Sequence, residues 1–194
     1  MLRIIQYPHP TLRQKALPLR RVDAELRSMV AEMFDLMYQN KGVGLAATQV
    51  DLPYRLFVVN ESGDLGHKEQ ELVFLNPVLS KHKGSAEDEE GCLSLPGLYA
   101  QVRRPERVSI EAFDLAGKPL KFDAEDRFAR ILQHENDHLD GVLFIDRLTP
   151  TQRIDANEQI AEFESEFAQQ RQRGEIPSDE AIAARIAELQ KQRS

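Results

Sequence analysis

The chain has 194 residues, is 41% hydrophobic and 29% charged, and carries a formal net charge of −7. That length suits one globular unit with an extension, long enough to bury a sizeable core. The negative balance argues against general nucleic-acid binding, the single cysteine, Cys92, excludes an intrachain disulfide, and no apolar run is long enough for a membrane span. The opening Met1-Leu2-Arg3-Ile4-Ile5-Gln6-Tyr7-Pro8 lacks the apolar stretch of a signal peptide, so a soluble cytoplasmic protein is expected.

Pro8, Pro10 and Pro18 keep residues 1–22 irregular, with Leu12, Leu17 and Leu19 expected to pin the segment to a core. Asp23 offers an N-cap. Leu26, Val30, Met33 and Met37 then recur at helical spacing and predict an amphipathic helix over 24–39, its Met-containing stripe turned to the core. In Lys41-Gly42-Val43-Gly44-Leu45-Ala46-Ala47-Thr48-Gln49-Val50, two glycines and a run of small residues let backbone pass close to something else. It lacks the endings of a phosphate-binding loop; read by itself it is a tight turn and a packing strand in which Gln49 is the odd polar residue. Residues 55–59 and 72–75 read as strands around a polar loop, 60–71, the second strand ended by Asn76-Pro77. Residues 81–90 read as a polar loop whose acidic run, Glu87-Asp88-Glu89-Glu90, is a solvated face, except that Glu90 abuts the next motif.

That motif is Glu90-Gly91-Cys92-Leu93-Ser94-Leu95-Pro96-Gly97. A lone cysteine is commonly a small buried hydrophobe, but Gly91 before it and Pro96-Gly97 after it shape a turn that presents the thiol as a nucleophile or a metal ligand. Alternation over Val102 and Val108–Asp114, with a turn at Ala116-Gly117-Lys118-Pro119 into Leu120–Phe122, predicts a small antiparallel sheet.

The helix that follows is expected to begin near Asp123–Glu125 and carries Gln133-His134-Glu135-Asn136-Asp137-His138. At 3.6 residues per turn, His134 and His138 share one face. Two imidazoles so placed can grip a metal ion while Glu135 reaches a water beside it. Beyond Pro150 a charged segment holds few apolar anchors, Ile154, Ile160, Phe163 and Phe167; Gly174–Pro177 break it, and Ser178 caps a last helix striped by Ile182, Ile186 and Leu189. This tail reads equally as a docking element for a partner and as a solvated, frayed extension. The chain thus divides into a unit at 1–150 and a helical tail at 151–194.

With Cys92, His134 and His138 as ligands, a fourth position stays open for water, the arrangement of a catalytic metal. Glu135 can then accept the water's proton and return it to a leaving amine, while the Gln49 amide and the backbone N–H of Leu93 can donate to an oxyanion. Metal-dependent amide hydrolysis follows. Spacing alone leaves alternatives. A Cys–His nucleophilic pair is one. A zinc endopeptidase is another: no His follows His138, but Glu158 stands 20 residues beyond it as a third ligand. A non-catalytic metal-binding module is a third.

Three stretches taken together resemble the peptide deformylase family: Gly42-Val43-Gly44-Leu45-Ala46-Ala47-Thr48-Gln49, Glu90-Gly91-Cys92-Leu93-Ser94, and Gln133-His134-Glu135-Asn136-Asp137-His138-Leu139-Asp140-Gly141. Similarity extends over residues 3–149, including Pro10-Thr11-Leu12-Arg13, Asn76-Pro77 and Gly141-Val142-Leu143-Phe144. The resemblance implies an α+β fold, short antiparallel sheets around the metal-binding helix. It implies removal of the formyl group from N-terminal formyl-methionine, with Cys92, His134 and His138 as ligands, Glu135 as acid/base, and Gln49 and Leu93 as oxyanion donors. It implies Fe2+ as the metal, with Zn2+ or Ni2+ as substitutes. The peptide would lie extended near Val43, Gly44 and Gly91, its methionine in a pocket built by Val43, Phe128, Ile131 and His134. Two departures stand out. Asp126-Arg127-Phe128-Ala129 replaces the family's usual Gly-Leu-Leu-Ala, so Arg127 near the pocket mouth is expected to alter substrate preference. The tail holds nine acids and six bases, which argues against the ribosome contact made by basic tails of some relatives.

Overall fold

Asp23 caps the first helix as its sequence predicts: its carboxylate accepts the Leu26 N–H at 2.8 Å, and α1 runs Ala24–Gln39. Leu26, Val30, Met33 and Met37 are all buried, so the apolar stripe is core. The computed structural model describes residues 1–193; Ser194, the last residue of the charged tail, lies outside the described residues. After α1 come β1 (Gly44–Ala46), β2 (Leu56–Val59), β3 (Leu72–Lys83), β4 (Ala86–Cys92), β5 (Leu95–Arg104), β6 (Arg107–Phe113) and β7 (Pro119–Glu125). Then follow α2 (Asp126–Leu139), α3 (Pro150–Gln172) and α4 (Asp179–Arg193), with short 3-10 turns at Pro10–Arg13, Ala47–Val50, Leu65–Gln70 and Phe144–Arg147. Five strands form one antiparallel sheet in the order β1-β2-β3-β6-β7, and β4 and β5 form a separate hairpin. The α+β architecture expected from the sequence is present. Helix α2 packs between the two sheets: Ala129, Leu132 and Leu139 meet Phe57, Phe74, Val108 and Ile110 of the large sheet, while His134 reaches Glu90 of the hairpin.

Several boundaries differ from the sequence reading. Asn76-Pro77 does not end a strand; β3 continues to Lys83 through a register irregularity between Leu75 and Val78. Proline is tolerated at such a bulge, where no ladder N–H is needed. Asn76 instead fastens the N-terminal segment, accepting the Leu19 N–H at 2.7 Å and donating to the Leu19 carbonyl at 2.8 Å. The expected 81–90 loop is largely strand: residues 81–83 end β3, and from Ala86 β4 pairs with β5 residue for residue as far as Gly91, Glu87 opposite Arg103 and Glu90 opposite Ala100. Only three of its four acids face solvent, since Glu90 is buried. Asp123–Glu125 belong to β7, and α2 starts at Asp126 with no intervening loop because Asp126 takes a left-handed φ of 53° and donates its N–H to the Glu106 carbonyl at 2.9 Å. Leu17 is 39% exposed and attaches by backbone instead: its N–H donates to Pro53 and its carbonyl accepts from Arg55, both at 2.9 Å.

The tail packs on the same chain. Ile160 is buried against Leu95, Leu143 and Phe144, and Phe163 packs beside it, whereas Ile154 points outward, 69% exposed. In α4, Ile182 and Ile186 are buried and Leu189 touches the core around α1. The guanidinium of Arg193 is buried between Asp23, at 3.1 Å, and the Tyr54 hydroxyl, at 2.8 Å. Docking thus joins the last helix to the cap of the first. No described helix is long and apolar enough to cross a membrane.

Candidate metal centre

Cys92 ends β4, at the mouth of the hairpin, and His134 and His138 stand one turn apart on α2. The fold brings their donor atoms together: Cys92 Sγ and one ring nitrogen from each histidine all lie within 4.8 Å of one another. Cys92 Sγ is 3.3 Å from His138 Nε2, and the two imidazoles pack edge to face with centroids 5.0 Å apart. A thiolate and two imidazoles are a donor set that divalent Fe, Zn and Ni accept. A buried polar atom beside these donors, Glu135 Oε2, has no hydrogen-bond partner among the described residues. A buried orphan of this kind marks a place where something polar binds. The residues present therefore fit a metal ion with its water.

Electrostatics set the protonation of these groups. Burial, reinforced by the positive charge of His134 and Arg104, holds the His138 pKa well below its ordinary value, so its ring is neutral. Burial also pushes Glu135 up to about 7, against the pull of His134 and Arg104, a value suited to moving a proton in either direction. Burial opposes a charge on His134, but hydrogen bonds to Cys92 and Glu90 outweigh it and raise its pKa to about 10. A cation entering the site must displace that proton, so metal binding here releases it.

Each donor is held by neighbours. His134 Nδ1 meets Glu90 Oε2 at 3.0 Å, which leaves Nε2 for the centre. Glu90 also accepts Arg104 Nε at 2.5 Å and Nη2 at 2.8 Å, and Arg130 Nη1 at 2.7 Å. Burial alone would raise the Glu90 carboxyl, yet Arg104 and His134 outweigh it and keep it ionised far below the usual carboxylate range. Arg104, itself 2% exposed, reaches on to Asp137 at 2.8 Å. Arg147 Nε closes the chain on the same carboxylate at 2.6 Å. Sequence reading missed this network: Arg104 and Asp137 carried no mark of it, and Glu90 stood out only by adjoining the cysteine motif.

Gln49 is buried in the Ala47–Val50 turn. Its Oε1 accepts the Ala46 N–H at 2.8 Å, so its amide nitrogen faces Cys92 Sγ at 3.4 Å and Ser94 Oγ at 3.3 Å. The Thr48 hydroxyl ties this turn to α2 by donating to the His138 carbonyl at 3.1 Å. Gly44 must be glycine, because a Cβ there would collide with the Glu135 carboxylate. A cleft of about 480 Å³ opens over the centre, walled by Val43, Gly44, Gly91, Leu93, Ile131 and Glu135. Phe128 does not line it. Cleft-facing positions on α2 are Arg127, Arg130, Ile131, His134 and Glu135, while Phe128 stacks on Phe122 of β7 with ring centroids 6.0 Å apart. Glu158 lies exposed on α3, outside the donor group, which removes the endopeptidase reading that needed it as a third ligand.

Comparison with known proteins agrees with this geometry. A sequence model of the polypeptide deformylase family matches residues 1–154. The peptide deformylase of Rhodopirellula baltica is 46% identical over 187 residues, covering 96% of this chain and 92% of that one. A plant peptide deformylase of type 1B superposes with a TM-score of 0.84 at 40% identity, over 92% of this chain and 95% of that one. The enzyme of Legionella pneumophila gives 0.78 at 39% identity, over 87% and 98%. With the Cys92, His134 and His138 donors converging as they do, the chain belongs to the polypeptide deformylases, the metal-dependent hydrolases that take the formyl group from N-formyl-methionyl peptides.

Proposed function

We propose that Cys92, His134 and His138 hold one divalent metal ion, and that Glu135, Gln49 and the Leu93 backbone N–H act on the formyl carbonyl. The observation that carries this reading is the convergence of three donor atoms within 4.8 Å beside a buried carboxylate oxygen that lacks a partner. When bound, the ion supplies a Lewis acid that makes water nucleophilic near neutral pH. Glu135 takes the proton of the attacking water and delivers it to the departing amine. The Gln49 amide, oriented by the Ala46 N–H, and the Leu93 N–H donate to the oxygen that gains charge. The peptide lies extended between the free edge of β1 at Val43-Gly44 and β4 at Gly91, with its methionine against Ile131. Residues 1–150 carry the catalysis, and the charged extension braces them.

Fe2+ is our reading of the native ion, supported by the family resemblance; the donor set accepts Zn2+ and Ni2+ equally. A substrate made by translation puts the enzyme in the cytoplasm, with no need of a nucleic-acid contact. Formate release from a short formyl-Met peptide by Fe2+-loaded protein, prepared without oxygen, is expected with every internal peptide bond intact. Internal cleavage without formate, or neither product, would overturn the reading. For the ligand set, Cys92→Ala should lose metal and activity together, while Glu158→Ala keeps both in a metal-content and formate assay. The opposite pattern would sink it.

A further inference from the structure

Arg127 is the residue that the hydrolysis leaves unexplained. It lines the cleft on the same face of α2 as Ile131 and His134, where the family usually places an apolar side chain. Its neighbour in that row, Arg130, is fully engaged by Glu90 and by the Val102 and Ala86 carbonyls. Arg127 is exposed, and its one hydrogen bond among the described residues goes to the Glu61 carbonyl at 3.2 Å. That contact leads toward the mouth of the cleft, because the same turn presses Gly63 against Val43 and the Asn60 N–H donates to the Val43 carbonyl at 2.9 Å. Through this turn the first residues of α2 are tied to Val43, just before β1, whereas Glu135 lies against Gly44 beside the metal donors.

We infer that Arg127 selects formyl peptides carrying an acidic side chain at their third residue. The inference rests on the extended substrate path proposed above. In an extended chain, side chains alternate, so residues one and three face the same side, about 6.6 Å apart. With methionine against Ile131, the third side chain faces α2 about one helical turn further out. Arg127 lies four residues before Ile131, about 6 Å along the helix. Among the described residues its guanidinium pairs with no carboxylate, and it meets that side chain at the rim. Asp88 and Glu89 of the hairpin also line the cleft, and Asp88 shares a small groove with Arg127, so these acids limit the size of the preference.

The test uses formyl-Met-Ala-X-Ala-amide with X as Asp, Ala or Lys, read as kcat/KM for formate release. Asp should exceed Ala by about threefold at low salt, the size of an exposed ion pair, and Lys should fall below Ala. The spread should shrink at high salt, where such pairs are screened. Arg127→Gln should remove the spread, and Arg127→Glu should reverse it. Equal rates for all three peptides, preference for Lys, or a spread that survives in Arg127→Gln would overturn the inference. So would an Asp preference found at the second residue instead of the third. Formate from none of the peptides would instead bring down the hydrolytic reading itself.

Discussion

Replacing Glu135 by Gln should abolish nearly all formate release while leaving the metal in place. Glu135 is outside the donor group formed by Cys92, His134 and His138, so the ion has no reason to leave. Its carboxylate is the group beside the centre that can accept a proton, and burial has brought its pKa to about 7. Positioned acid–base catalysis contributes about 10²- to 10⁴-fold, and turnover should drop by at least about 100-fold. The same substitution makes a stability prediction of unusual sign. A carboxyl whose folded pKa lies above the ordinary 4.5 binds more protons folded than unfolded, so its contribution to stability declines as pH rises between those two values. Glutamine does not titrate. In chelated protein, Glu135→Gln should therefore match the parent near pH 4.5 and unfold at a higher temperature by pH 8. Turnover near the parent level would remove Glu135 from the acid–base role. An unfolding temperature below the parent's at pH 8 would mean that the carboxylate is not the strained group its burial implies.

Much of this centre was legible in the sequence because its chemistry is local. His134, Glu135 and His138 need only the helical period to fall into place, and α1 announced itself by one cap and one stripe. Gly44 needed more: backbone freedom was visible, but the reason for it, the Glu135 carboxylate 91 residues later in the chain, exists only in the fold. The charged residues misled most. An acidic run is ordinarily solvated, and Glu87 to Glu89 obey that rule; Glu90 is turned inward by its ion pair with buried Arg104, and the run itself gives no hint of that partner. Phe128 shares a helix face with Ile131 and Glu135, and only the fold shows that its ring goes to Phe122 of β7. The α4 stripe was readable, yet whether it met a partner or its own chain depended on Asp23, Tyr54 and Arg193 lying together, which no local pattern reports.

The second large effect concerns the network under the centre. Glu90→Gln should lower both stability and metal affinity, although Glu90 is not placed among the ligands. In the parent, one carboxylate accepts from His134, from two nitrogens of Arg104 and from Arg130. Removing its charge leaves Arg104, 2% exposed, with Asp137 as its remaining anion, and puts an amide NH₂ where a cation's donors also point. Breaking a buried ion pair from one side costs about 3–5 kcal/mol. Because Asp137 remains, the lower end is expected, a fall of roughly 6–12 °C in Tm for a chain of this size. His134 also loses the charged acceptor that orients it, and substitutions of that kind weaken metal binding about 10- to 100-fold. The two effects separate experimentally. Tm of the chelated protein reports the ion network alone, and a competition titration with a chelator reports affinity. Glu87→Gln, three residues earlier and paired only with exposed Arg103, should change Tm within the small range of surface substitutions. Similar Tm values for the two variants would show that Arg104 is satisfied without Glu90, and undiminished affinity would show that packing, not this carboxylate, aims His134 at the metal.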